Sequence, residues 1–157
     1  MSQRLKMIFT LAAIGMASTA SAKVDGPTML TLDDIGVSEV LAWSWGASQS
    51  GSFHVGGGGG AGKANFQDIS LTRYTDSLSA AILRAVAIGE IIPNVEMKRE
   101  GLRIRMQQVM VTSYSVGGMS DKKALQTENI SLNFMRVTYE VDGSPAYCFD
   151  VALNSPC

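Results

Sequence analysis

The sequence predicts a mainly β protein: an antiparallel β-barrel or sandwich with one flanking α-helix. Apolar and polar residues alternate with period two along much of the chain, most cleanly where Leu102, Ile104 and Met106 interleave with Arg103, Arg105 and Gln107. Only Asp76 to Gly89 carries a helical stripe. The strands are not separated by further helices, which argues against alternating βαβ units, and barrel closure removes exposed edges.

The first twenty-two residues stand apart from this pattern. Arg4 and Lys6 make a positive start, Met7 to Met16 is apolar, and Ala20-Ser21-Ala22 offers small residues at −3 and −1. That order reads as a secretory signal cut between Ala22 and Lys23, and not as a buried N-terminal helix. The apolar run is shorter than the roughly 20 residues a membrane helix needs. A mature domain from 23 to 157 follows, exported to the periplasm or beyond, with no second apolar stretch able to span a membrane. It can bury on the order of two thirds of its unfolded surface without a metal. The formal net charge is −1, and removing Arg4 and Lys6 makes it more negative, which is not the basic footprint of a nucleic-acid binder.

Thr28 to Asp33 alternates and reads as a short strand. Ser38 to Trp45 is a second strand, with Val40, Ala42 and Ser44 on one side and Leu41, Trp43 and Trp45 on the other. Gly46 to Gly62 reads as a glycine-rich loop. Ala64 to Thr75 returns to extended character, but Phe66 is out of phase with Ile69 and Leu71, which predicts a β-bulge or burial of both faces.

The helix follows from Leu78, Ala81, Ile82, Ala85 and Val86, which recur at i, i+3, i+4, i+7 and i+8. Asp76 or Ser77 can cap its first turn, Gly89 suits a left-handed C-terminal residue, and Pro93 prevents continuation. Val95 and Met97 then resume period two, and Val109 and Val111 continue the next strand after a phase slip. Val116 to about Glu128 is a polar loop. Ile130, Leu132 and Phe134 face one way, and Met135, Val137, Tyr139 and Val141 the other, as in a strand whose two halves meet different partners. Asp142-Gly143 and Pro145 make a turn, for six to eight strands in all.

Cys148 and Cys157 are the only cysteines. In an oxidising compartment they suit a staple for the tail, worth roughly 2–3 kcal/mol by loop closure; two free thiols or pairing between chains are the alternatives.

Few residues suggest chemistry. Gly57 to Lys63 fits G-x-x-x-x-G-K, but Ala64 stands where a P-loop needs Ser or Thr for Mg²⁺, and strand follows instead of helix. His54 is the single histidine and lacks a second ligand or a nucleophile. Asp33 and Asp34 are adjacent, so on a strand they point to opposite faces. Trp43 and Trp45 share a face and suit a core better than a ligand platform. The expectation is no enzyme, no catalytic residue, no metal and no cofactor.

Several stretches resemble the Hcp family of type VI secretion, in the family's order and spacing. They are Val40 to Gly46 with Ser48-Gln49, Gly56 to Lys63, Phe66 to Thr72, the helix ending at Gly89 with Ile92-Pro93, Val111 to Gly118, and Glu128 to Phe134. The resemblance covers about Met29 to Val141. It implies a β-barrel with one flanking helix, assembled as a hexameric ring. Stacked rings form the inner tube that a contractile sheath drives outward with its spike, and small effectors ride in the lumen. It implies no catalytic residues. Two features depart from the family: the export signal, and the short connection Ile35 to Val37. They leave room for a second reading, an exported monomeric binding module on the same fold.

Overall fold

The computed structural model describes residues 25–51, 62–118, 120 and 124–157. The signal segment with Ala22 and Lys23, the glycine run from Gly56 to Gly60 and His54 lie outside them. The elements are β1 (Asp25–Leu32), β2 (Gly36–Ser44), β3 (Ala47–Gln49), β4 (Ala64–Phe66), β5 (Ile69–Tyr74), α1 (Ser79–Ile88), β6 (Ile91–Glu100), β7 (Leu102–Gly117), β8 (Thr127–Val141), β9 (Tyr147–Asp150) and β10 (Ser155–Pro156).

The main sheet runs β10-β9-β8-β5-β2-β1-β6-β7, and β7 pairs again with β8. That pairing closes β1, β2, β5, β8, β7 and β6 into an antiparallel barrel. Inside are Leu30, Leu32, Ile69, Leu71, Ile104, Met106, Ile130 and Leu132, all essentially excluded from solvent. Each such side chain contributes about 1.5–3 kcal/mol by leaving water.

Helix α1 links β5 to β6 and packs on β7. It buries Ile82 and Ala85 from the expected stripe. It begins later than the sequence pattern suggested, with Leu78 at the N-cap position and no side-chain cap there. Asp76 still serves the helix start, because its Oδ1 accepts the Leu78 N–H at 2.7 Å. At the other end Gly89 is left-handed, φ 64°, and the N–H groups of Gly89 and Glu90 reach back to Val86 and Ala85. Leu78 also explains Gly36 in the β1–β2 turn. A Cβ at Gly36 would lie 2.9 Å from Leu78 Cδ2, and its φ of 145° is one that other residues rarely adopt.

Three further details differ from the sequence reading. The glycine-rich stretch is not loop throughout, because β3 lies inside it and pairs with β4 as a separate two-stranded ribbon. The slip at Phe66 is neither a bulge nor double burial. The chain leaves the ribbon after Phe66 and enters the main sheet at Ile69, so the two halves belong to different sheets. The tail adds β9 and β10, bringing the count to ten strands among the described residues.

The slips in β7 and β8 share one cause. Ile92, Val109 and Phe134 form one register row across β6, β7 and β8, and Val95, Met106 and Val137 form another. All six are buried, yet two residues separate the rows on every strand. The inward phase therefore changes on three strands at one place, where Gln108 takes φ 52°. Beside it, β8 exchanges neighbours: its first half pairs with β5 and its second half with β9.

Candidate assembly surface

The residues with possible chemistry do not converge. Asp33 Oδ2 accepts a hydrogen bond from Asn94 Nδ2 at 2.7 Å, while Asp34 sits in the β1–β2 turn with φ 62°. Ala64 opens a strand, so Lys63 does not precede a helix N-terminus. No group of three or more metal-ligating side chains occurs among the described residues. No described helix is long and apolar enough to cross a membrane.

Among the described residues the buried charged side chains are Arg73, Glu128 and Asp150; Asp150 pairs with Arg136 on β8, and the other two belong to one network at the end of the barrel next to α1. Arg73 on β5 and Glu128 on β8 are in register and form an ion pair. Arg73 also pairs with Asp76 and donates from Nε to Ser38 Oγ at 2.9 Å. Tyr114 donates its hydroxyl to Glu128 Oε2 at 2.8 Å. Burial, with the Glu128 carboxylate next, pushes the Tyr114 phenol above its ordinary range. Burial also pushes Asp76 up, but hydrogen bonds from Arg73 and the Leu78 N–H outweigh it and leave the carboxyl lowered. The network joins β2, β5, β7, β8 and the approach to α1. Its polar atoms are committed to one another, so it fixes register and offers no free group for catalysis.

The outer surface carries the distinguishing features. Ser44 pairs with Ser70, Ser70 with Ser131, and Ser131 with Ser113, one row of serines across β2, β5, β8 and β7. Two residues along, Ala42, Thr72, Asn129 and Ser115 form a parallel row. Thr72 donates to Asn129 Oδ1 at 2.6 Å, and the Ser70 and Ser131 hydroxyls approach at 3.5 Å. These two rows are uncharged and mostly small and polar, and beside them Asp68, just before β5, accepts hydrogen bonds from Thr112 at 2.5 Å and Asn133 at 2.7 Å. Farther along β7 and β8, and across onto β6, the outer surface becomes apolar: Ile91 of β6 is in register with Met110 of β7, and Met135 is one diagonal step away on β8. These three side chains are 45, 38 and 49% exposed.

Two concave features adjoin. Trp43, Trp45, Tyr139 and Tyr147 line a concavity of about 340 Å³. Both tryptophans also touch the core, in keeping with a core role, but each keeps part of its ring at the surface. Trp45 Nε1 donates to Gln67 O at 3.1 Å. A wider cleft of about 630 Å³ is lined by Asn94, Arg105, Gln107 and Arg136 among others. Its arginines are already paired, Arg105 with Glu140 and Arg136 with Asp150. Cys148, at the same cleft, is joined to Cys157 by a disulfide with Cα atoms 5.3 Å apart.

Sequence reading missed the serine row. Its members are scattered over four strands, and only the register collects them; the signal available was small residues at alternate positions, Ser70 and Thr72 on β5, Ser113 and Ser115 on β7, Asn129 and Ser131 on β8.

A family model described as "Type VI secretion system effector, Hcp" matches residues 33–141. Protein hcp1 of Pseudomonas aeruginosa is 44% identical over 116 residues, which cover 68% of this chain and 70% of that protein. Among solved structures, Hcp1 from Salmonella typhimurium superposes with a TM-score of 0.70 at 23% identity, covering 83% of this chain and 98% of that one. A type VI secretion system effector from Yersinia pestis gives a TM-score of 0.65 at 22% identity, covering 79% and 99%. The structural likenesses carry the fold, and the family match and the P. aeruginosa relative carry membership. The chain belongs to the Hcp family of type VI secretion, a structural family and not one of enzymes.

Proposed function

We propose that this chain is an exported, ring-forming tube subunit, cut between Ala22 and Lys23 and working as one domain from Lys23 onward. The carrying observation is the pair of uncharged rows, with serines in register across four strands, bordered by Ile91, Met110 and Met135. A ring subunit has two kinds of neighbour, other copies and whatever occupies the lumen. Small uncharged side chains suit the lumen, because they hold a passing cargo by many weak contacts and bind none tightly. An exposed apolar row suits the next copy, where removal from water supplies the driving force. Repeated head-to-tail contact closes a ring when the rotation closes. Six copies, stacking, effector cargo, and sheath or spike partners are what family membership adds to this reading.

The test is light scattering on purified protein beginning at Lys23. A sixfold mass is expected. A single-chain mass at high concentration overturns the ring. It would leave the exported binding module, which the aromatic concavity of Trp43, Trp45, Tyr139 and Tyr147 favours. N-terminal sequencing of the extracytoplasmic protein tests the export step, with Lys23 expected first.

A further inference from the structure

Two segments outside the barrel meet at its edge. One is the β3–β4 ribbon, which shares no ladder with the main sheet. The other is the tail hairpin of β9 and β10, which hangs from the second half of β8. Asn154, at the end of the hairpin turn with φ 52°, accepts a hydrogen bond at Oδ1 from the Ala64 N–H of β4, at 3.0 Å. Phe66 of β4 lies between Trp45, at 5.9 Å, and Phe149 of β9, at 4.7 Å between ring centroids. The tail is thus the ribbon's anchor.

What holds the anchor is largely covalent. The return strand β10 has two residues, and one is Pro156, which has no N–H to give to a ladder. The Leu153 N–H reaches Asp150 Oδ1 at 2.9 Å, but that bond fixes the start of the turn and not its return. The return is tied at its base by the Cys148–Cys157 disulfide and the Cys157 N–H to Cys148 carbonyl bond of 3.2 Å. Cys157 is exposed, so a reductant can reach it.

We propose that this disulfide is a redox latch on the β3–β4 ribbon. Closed, it keeps Asn154 against Ala64. Open, it lets the turn's return swing away, and Ala64 loses its hydrogen bond to Asn154, while Phe66 keeps its packing on Phe149 and the barrel stays intact. A dithiol opens it: one thiolate attacks a sulfur, the S–S bond breaks through a mixed disulfide, and the dithiol leaves as its own disulfide. Two electrons pass to the cysteines, which take up two protons as thiols. The latch therefore distinguishes a reducing cytosol from an oxidising exterior. It concerns contacts within one subunit and does not depend on ring formation.

Amide hydrogen exchange read by NMR on the full mature chain tests it. Dithiothreitol, the double substitution Cys148→Ser and Cys157→Ser, and Asn154→Gly with the disulfide intact are each expected to speed exchange at Ala64 by about tenfold or more. The amides of Ile104 and Leu132 in the barrel should not change. The latch is overturned if Ala64 is indifferent to reduction, if Asn154→Gly leaves Ala64 protected, or if reduction exposes the barrel amides equally.

Discussion

Arg73 and Glu128 face each other across β5 and β8, in register and paired as ions, with both side chains fully removed from solvent. Placing two charges there has a large desolvation cost, repaid because Ser38, Asp76 and Tyr114 satisfy the remaining atoms. The pair therefore specifies register more than it adds net stability.

The first prediction follows from that balance. Arg73→Ala alone should destabilise the fold by about 3–5 kcal/mol, because Glu128 is left charged and buried. The double change Arg73→Met with Glu128→Leu should be clearly less damaging than Arg73→Ala. Urea denaturation measures both. Equal losses would mean that the stranded charge is not the cause.

Gly36→Ala should destabilise by about 1–3 kcal/mol, the usual range for overpacking. Adding Leu78→Ala should recover part of the loss, since the Leu78 methyl is the atom in the way. The φ of 145° remains, so recovery should be incomplete. A double-mutant cycle with no coupling between the two sites would contradict this packing account.

The two outer surfaces should respond differently. Met110→Glu should lower the mass of the proposed ring in light scattering toward a single chain, because it places a charge in the apolar row. Ser70→Arg should leave that mass in place and change stability by no more than about 0.5 kcal/mol, as for an ordinary surface site. The reverse pattern would exchange the roles given to the two faces.

Acid should weaken the fold in a defined window. The Leu153 N–H and then Arg136 hold Asp150 below its ordinary value of 3.8, and Asp76 is lowered too. Depressed carboxyls mean that the unfolded chain binds more protons, so this stability is fully present above the ordinary value and is lost as pH falls through the folded one. The urea midpoint should drop as pH falls below the ordinary carboxyl value of 3.8. Asp150→Asn should flatten that drop, and an unchanged slope would remove Asp150 from the explanation.

Local physics was legible in the chain. Period two at Leu102, Ile104 and Met106 depends only on which side chains prefer to leave water, and the helix stripe ending at Gly89 needs only 3.6-residue spacing and one left-handed position. Register was not legible. The slips near Val109 and Met135 are visible one strand at a time, but that they fall together beside Gln108 and Pro93 depends on which residues of β6, β7 and β8 lie side by side. The serine row and the Arg73–Glu128 pair belong to the same class, since their members are separated by tens of residues. Sequence settles what each residue can do with its near neighbours along the chain. Only closure of the barrel, which pairs distant strands to satisfy their backbone groups, decides which side chains share a surface.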